Sequence, residues 1–150
     1  MFETLLSKTL FILAISLGFC FLGALGVVKY FRQAYEKGVI LSGYSSGSMF
    51  WFAEGYDDCD VDRKFMFVDC LGLLPFSNCP HFEGGNWPSY ADAIKGRKYS
   101  GIALENGAAL VYDNGKFYTL QGNDGGEVYY LDAEKNHGKI RFNELKDSII

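Results

Sequence analysis

The chain has 150 residues, of which 49% are hydrophobic and 17% are aromatic, and its formal net charge is −4 at pH 7. This length predicts a single domain, and the composition provides a packed core and excludes a disordered chain. The negative net charge gives no support for nucleic-acid binding, which requires a basic surface.

Residues 9–28 read TLFILAISLGFCFLGALGVV and contain no charged side chain. About 20 apolar residues can cross a bilayer as a helix. The basic residues that follow at positions 29, 32 and 37 would then keep the rest of the chain in the cytoplasm, attached to the inner face of the membrane. A buried strand and helix of the domain core is the alternative. The sequence leaves both interpretations open.

Four cysteines are present, and their spacing matches no zinc-site pattern. The chain also has only two histidines to complete such a site. A disulfide framework is not expected in a chain with this much core. The sequence therefore predicts reduced cysteines, no metal and no cofactor. The cysteines are Cys20, Cys59, Cys70 and Cys79.

Helix and strand patterns alternate in the first half of the chain. Residues 27–37 (VVKYFRQAYEK) place apolar side chains at helical spacing, and Gly38 is a suitable C-terminal cap. Residues 39–41 predict a short buried strand, and residues 46–52 predict a helix. Residues 57–64 are polar and predict a loop. This alternation predicts an α/β fold with a mostly parallel sheet.

Strand patterns dominate the second half. Residues 76–89 are rich in glycine, proline and asparagine, so they predict a loop, with a short helix at 90–95. Asp113-Asn114-Gly115 predicts a tight hairpin turn, and such hairpins would extend the sheet on its C-terminal side. Strands are predicted at residues 65–68, 101–104, 108–112, 116–120 and 127–131.

The stretch Gly43-Tyr44-Ser45-Ser46-Gly47 joins a predicted strand to a predicted helix. A strand, G-x-S-x-G and a helix form the nucleophile elbow, in which the glycines permit a sharp turn that presents the serine hydroxyl. A serine nucleophile needs a base, and His81 follows an apolar strand-like run. Glu105 follows the predicted strand 101–104 and could orient the imidazole. Asp60, in an acidic loop, is the competing carboxylate, and His137 lies in a polar turn typical of the surface.

Three separate stretches resemble the peptidase E family, in order and in rough spacing. They are FRQAYEKGVILSGYSSG at 31–47, GLLP with NCPHF at 72–82, and GIALENGAALVY at 101–112. The resemblance covers about residues 27–131. The family consists of serine peptidases with a class I glutamine amidotransferase-like fold, and includes aspartyl dipeptidases and, more distantly, cyanophycinase.

This resemblance implies a three-layer α/β fold and a catalytic triad. Ser45 matches the nucleophile, His81 the general base and Glu105 the triad acid, while the backbone N–H of Ser46 matches one oxyanion donor. Asp60 matches a position where an alternative acid is considered. The implied reaction is hydrolysis of short peptides through an acyl-enzyme, without metal or cofactor, by a monomer or a homo-oligomer.

The sequence also departs from the family. Only about 40 residues precede Ser45, several early strands are missing, and Gly23-Ala24-Leu25-Gly26 lacks the asparagine of the family's Gly-Gly-Asn loop. We therefore expect a hydrophobic leader at 1–28 and an N-terminally incomplete peptidase E-like domain at 29–150.

Two features leave the activity and its specificity open. No arginine lies between His81 and Lys95 to bind an aspartyl substrate, and the nearest is Arg97. A catalytically inactive, membrane-attached or partner-binding remnant is the alternative function. An amidotransferase is disfavoured, since it would need cysteine at position 45.

Overall fold

A computed structural model describes residues 9–12, 26, 28–58, 64–82, 89–134 and 139–144. The chain divides into two compact units, residues 1–75 and 76–150. The first unit contains strands and helices β1 Thr9–Ile12, α1 Val28–Glu36, β2 Ile40–Gly43, α2 Ser46–Met49, β3 Phe52–Asp57 and β4 Met66–Asp69. The strand β5 Leu74–Cys79 crosses the division. The second unit continues with α3 Tyr90–Ala93, β6 Gly101–Leu104, β7 Ala108–Asp113, β8 Lys116–Gln121, β9 Val128–Leu131, β10 Lys139–Arg141 and a 3₁₀ turn, Phe142–Glu144.

In the first unit, β1 pairs in parallel with β2. Helix α1 precedes β2 and ends in a Schellman motif. The N–H of Gly38 donates to the carbonyl of Tyr35 at 2.9 Å, and the N–H of Val39 donates to the carbonyl of Ala34 at 3.0 Å. Gly38 has φ 76°, a left-handed conformation that glycine adopts without steric cost. The predicted helix and its glycine cap are thus confirmed.

Helix α2 is shorter than predicted. The sequence predicts a helix over 46–52, but α2 ends at Met49 and β3 begins at Phe52. The apolar residues after α2 are buried, and Phe31 of α1 packs edge-on against Phe50 and Trp51 with ring centroids 5.2 and 5.8 Å away. A buried strand and a buried helix are equally apolar, so periodicity does not separate them here.

Strand β3 pairs antiparallel with β4, a pairing the sequence patterns did not predict. Gly55 of β3 lies against α2, where an added Cβ would come within 2.6 Å of the sulfur of Met49. The absence of a side chain at this position lets the strand and the short helix pack closely.

The strands of the second unit form a mixed arrangement. β5 pairs in parallel with β6, β6 pairs antiparallel with β9, and β9 pairs antiparallel with β10. The predicted loop over 76–89 is wrong for residues 76–79, which belong to β5. The core of this unit contains Cys79, Tyr90, Ile102 and the whole of β9. The predicted α/β class is confirmed, with a mixed sheet.

A hairpin, β7–β8, is formed as predicted, but its two strands form a sheet of their own and do not extend the sheet that contains β5, β6, β9 and β10. Asp113 pairs with Lys116 across the two-residue loop Asn114-Gly115. Both loop residues have positive φ, 48° and 84°, as a type I′ turn requires.

The hydrophobic leader predicted at 1–28 is described only in part. Thr9–Ile12 is a strand rather than the start of a membrane helix, and most of the remaining leader lies outside the described residues. Within the part of the chain that the structure describes, no helix combines the length and apolar character that a membrane crossing requires. The prediction of a membrane helix is therefore wrong for residues 9–12, and for most of 13–28 it falls outside the described residues.

Candidate active site

Ser45 occupies the turn between β2 and α2 in a strained backbone conformation, with φ 54° and ψ −130°. Residues other than glycine rarely adopt such angles, and strain of this kind clusters at functional sites. The turn is also tight, because a Cβ added to Gly43 would lie 2.1 Å from the carbonyl oxygen of Gly47. Glycine at position 43 is therefore a steric requirement of the turn that carries the serine.

Hydrogen bonds between residues close in the chain hold the turn around Ser45. The N–H of Gly47 donates to the carbonyl of Tyr44 at 2.9 Å, and the N–H of Ser48 donates to the carbonyl of Ser45 at 2.9 Å. The hydroxyl of Ser48 donates to the same Ser45 carbonyl at 2.6 Å. Ser46 is the first residue of α2. These bonds fix the backbone on both sides of a half-buried serine.

His81 lies just beyond the C-terminal end of β5, in the second unit. Its φ is 55°, so this non-glycine residue is also left-handed. The N–H of Phe82 donates to the carbonyl of Leu104 at 2.9 Å, which brings the chain after β5 beside the end of β6. The ends of neighbouring parallel strands meet at one edge of a sheet, where α/β proteins place functional groups. His81 and the residues that follow β6 therefore lie close together.

The imidazole of His81 contacts Asn106. Its Nδ1 lies 2.6 Å from the Oδ1 of Asn106, and the pair is exposed. Asn106 follows Glu105 in the turn between β6 and β7. The sequence patterns did not single out Asn106, although its place beside the candidate acid was the available signal.

The carboxylate of Glu105 accepts hydrogen bonds from Glu127 and from Tyr129 of β9. Its Oε2 accepts the backbone N–H of Glu127 at 2.9 Å, and its Oε1 accepts the hydroxyl of Tyr129 at a longer 3.4 Å. The N–H of Glu105 also donates to the carbonyl of Glu127 at 3.0 Å. The side chain of Glu105 thus binds the chain that leads into β9.

A close backbone approach supports the turn that carries Asn106. The N–H of Ala108 donates to the carbonyl of Glu105 at 3.2 Å, and Gly107 has φ 84°. A Cβ added to Gly126 would lie 2.1 Å from the carbonyl oxygen of Asn106. The segment around Gly126 therefore packs directly against the turn.

Cys79 stands two residues before His81 and is fully buried. Burial raises the pKa of the Cys79 thiol well above its usual range, because the thiolate would lose its hydration. The thiolate is the nucleophilic form, so Cys79 acts as a packing residue. Cys70 and Cys79 form no disulfide. Within the described ranges, no group of three or more His, Cys, Asp or Glu side chains could hold a metal ion.

The residues predicted from the sequence fall into three groups. Ser45 and Ser46 lie together at the elbow of the first unit, and His81 and Glu105 follow adjacent parallel strands of the second unit. Asp60 lies outside the described residues, as does His137. The role of each as a site residue stays a prediction.

Comparisons with known proteins find relatives of the part of the chain that contains these candidate residues. The model of peptidase family S51 matches residues 21–120, which include the serine elbow, His81 and Glu105. The uncharacterized peptidase YgaJ of Bacillus subtilis (strain 168) is 33% identical over 108 residues, which cover 69% of this chain and 46% of YgaJ. The chain thus spans about half the length of this curated relative. From the family match, the chain belongs to peptidase family S51, the peptidase E family.

Proposed function

We propose that this protein is a serine peptidase that hydrolyses short peptides, with Ser45 as the nucleophile and His81 as the general base. The observation that carries the proposal is the backbone of Ser45. A serine held at φ 54° in G-x-S-x-G, between a strand and a helix, is the arrangement of a nucleophile elbow. Family membership supports the same reaction class.

The proposed reaction has two steps. The Oγ of Ser45 attacks the peptide carbonyl carbon while His81 takes the hydroxyl proton, and the backbone N–H of Ser46 donates to the oxyanion. The C–N bond then breaks, and the imidazolium returns the proton to the leaving amine. Water, deprotonated by the same imidazole, attacks the acyl-enzyme ester. The bond between the acyl carbon and the Oγ of Ser45 then breaks, and the imidazolium returns its proton to that Oγ as the second product leaves.

The family resemblance gives Glu105 the role of the acid, and we retain that assignment as a proposal. Its hydrogen bonds with the N–H of Glu127 and the hydroxyl of Tyr129 would hold the carboxylate in place. The finer fold, a three-layer class I glutamine amidotransferase-like sheet, also follows from the resemblance. We propose short peptides as the substrate class and assign no side-chain preference, since no arginine follows soon after His81 to bind an aspartyl carboxylate.

Fluorophosphonate labelling tests the proposal. The Oγ of an activated serine attacks the phosphorus of the probe and displaces fluoride into solvent, so the folded protein should become covalently labelled. Ser45→Ala should abolish labelling, because the nucleophile is gone. Ser42→Ala is the matched control, since it removes a hydroxyl from the strand that leads into the same turn, and it should label at the wild-type rate.

Two results would contradict the proposal. Labelling that persists in Ser45→Ala would place the nucleophile elsewhere. Absence of labelling in a folded wild-type sample would favour the inactive, partner-binding alternative. Circular dichroism of each sample establishes that the comparison is made between folded proteins.

A further inference from the structure

We propose that Tyr129 of β9 is a positioning residue of the catalytic group, which holds the carboxylate of Glu105 through its hydroxyl and the turn of His81 through its ring. The inference rests on the proposed function for its catalytic meaning, because Tyr129 acts on the proposed acid and the proposed base. Its geometric basis lies entirely within the second unit and does not depend on that function.

The pairing of β9 with β6 places Tyr129 close to the turn that carries the acid. Tyr129 is paired with Ala103, two residues before Glu105, and both Tyr129 and Ala103 are buried. The side chains of directly paired residues project from the same face of a sheet. Because the side chain of Ala103 is only a methyl group, the longer side chain of Tyr129 can extend past it towards the turn after β6.

The hydroxyl of Tyr129 is one of two donors to the carboxylate of Glu105. It donates to Oε1 at 3.4 Å, while the N–H of Glu127 donates to Oε2 at 2.9 Å. The two donors bind different oxygens, so together they restrict both the position and the rotation of the carboxylate. A carboxylate has about four acceptor sites, so these two bonds leave capacity for a further bond from the imidazole of His81.

The ring of Tyr129 packs against Phe82, the residue that follows His81. The two ring centroids lie 5.7 Å apart with an interplanar angle of 64°, an edge-to-face arrangement that aromatic pairs prefer. Phe82 is almost completely buried, and its N–H donates to the carbonyl of Leu104 at 2.9 Å. A change at Tyr129 would therefore disturb the turn of His81 as well as the carboxylate of Glu105.

Both contacts belong to a single stiff side chain. A tyrosine side chain has only about two rotatable torsions, so its ring and its hydroxyl move together. Tyr129 therefore sets the separation between the turn of the acid and the turn of the base. This separation matters because the carboxylate stabilises the imidazolium that forms during the reaction, and small displacements of catalytic groups slow the chemical step.

Two substitutions separate the hydroxyl from the ring. Tyr129→Phe removes the hydroxyl alone and keeps an aromatic ring against Phe82, whereas Tyr129→Leu removes both. Tyr130→Phe is the matched control, because Tyr130 is buried in the same strand but projects from the opposite face of the sheet.

The contact itself is tested by ¹³C NMR of the side-chain carboxyl carbons in protein labelled at glutamate. The signal of Glu105 is the one that disappears in Glu105→Gln. We expect Tyr129→Phe to shift this signal, because the carboxylate loses a donor, and Tyr130→Phe to leave it in place. A Glu105 signal that does not move in Tyr129→Phe would overturn the inference.

The maximal rate of fluorophosphonate labelling, measured at saturating probe, gives the catalytic readout. We expect Tyr129→Phe to lower this rate about 5-fold without changing the probe concentration that gives half the maximal rate, since the acid acts in the chemical step. Tyr129→Leu should lower the rate about 10-fold or more, because the packing of the ring is lost as well. Tyr130→Phe should label at the wild-type rate.

The Glu105→Gln background separates positioning of the acid from a general loss of structure. The hydroxyl of Tyr129 would then hold a side chain without charge, so adding Tyr129→Phe should cause little further slowing. An equal slowing in the wild-type and Glu105→Gln backgrounds would overturn the inference, because the hydroxyl would act independently of Glu105.

The inference and the proposed function fail in different ways. A folded wild type that never labels would contradict the peptidase, and the carboxyl signal would still decide whether Tyr129 holds Glu105. Labelling that is lost in Ser45→Ala but unchanged in Tyr129→Phe would retain the peptidase and overturn the positioning role.

Discussion

The two turns that carry Ser45 and His81 share a positive φ but hold it by different means. Their φ angles are 54° and 55°. The serine turn is held by local bonds between residues 44 and 48 and by the absence of a side chain at Gly43. The histidine turn is held by strand pairing and by a side-chain bond to Asn106, 25 residues away in the chain. A local turn can be read from a short motif, whereas the second depends on distant partners.

The largest expected loss of stability comes from adding a methyl group at the closest backbone contact of each turn. Gly43→Ala and Gly126→Ala each place a Cβ 2.1 Å from a backbone oxygen, so two backbone segments must separate. We expect each substitution to lower the free energy of unfolding by about 3 kcal/mol. Denaturant unfolding measures this loss.

Gly96→Ala is the matched control for those two variants. Its φ is 71° and no atom lies within 4 Å of the added Cβ, so only backbone strain of about 1 kcal/mol is expected. An equal loss in all three variants would mean that close packing does not distinguish these turns.

A smaller effect should arise from relief of strain. Glycine adopts positive φ without steric cost, whereas alanine does not. Ser45→Gly should therefore be more stable than Ser45→Ala by about 1 kcal/mol, and His81→Gly should exceed His81→Ala by a similar amount. Thermal unfolding of the four variants measures both differences. A stability difference in only one pair would show that the turns, despite equal φ, are not equally strained.

A further effect concerns the histidine region alone and depends on pH. Burial raises the pKa of the Cys79 thiol, so above about pH 8.5 the unfolded chain loses this proton while the folded chain keeps it. The folded state then binds more protons, and stability must fall as pH rises. The slope from this group approaches about 1.4 kcal/mol per pH unit.

Cys79→Ala removes that contribution and serves as the control. Unfolding measured from pH 8 to pH 10 should show a steeper loss in the wild type than in Cys79→Ala. Equal slopes would mean that the thiol ionises in the folded protein.

Local features could be predicted from the sequence with good accuracy. The helix that ends at Gly38 and the hairpin at Asn114-Gly115 depend on residues a few positions apart, and the serine elbow is equally local. Each of these features therefore leaves a pattern in a short stretch of sequence, which is enough to identify it.

Features that depend on distant pairing could not be predicted in the same way. Strand β3 is buried over most of its length, so its residues show no alternation. Residues 76–79 include Asn78 and lie between Pro75 and Pro80, a composition typical of loops. The buried Asn78 nevertheless donates to the carbonyl of Ile102, a partner 24 residues away. The contact between His81 and Asn106 has the same origin, which is why the sequence pointed to Glu105 and Asp60 and not to Asn106.

The hairpin of β7 and β8 also affects the order of events during folding. Its strands are joined by two residues, so it can close within about 1–10 μs. The pairing of β5 with β6 matches Ser77 with Gly101. The chain between these two residues is much longer than the hairpin loop, so closing it costs more conformational entropy. We therefore expect the hairpin to form early in folding, before β5 and β6 pair and His81 is brought beside Asn106.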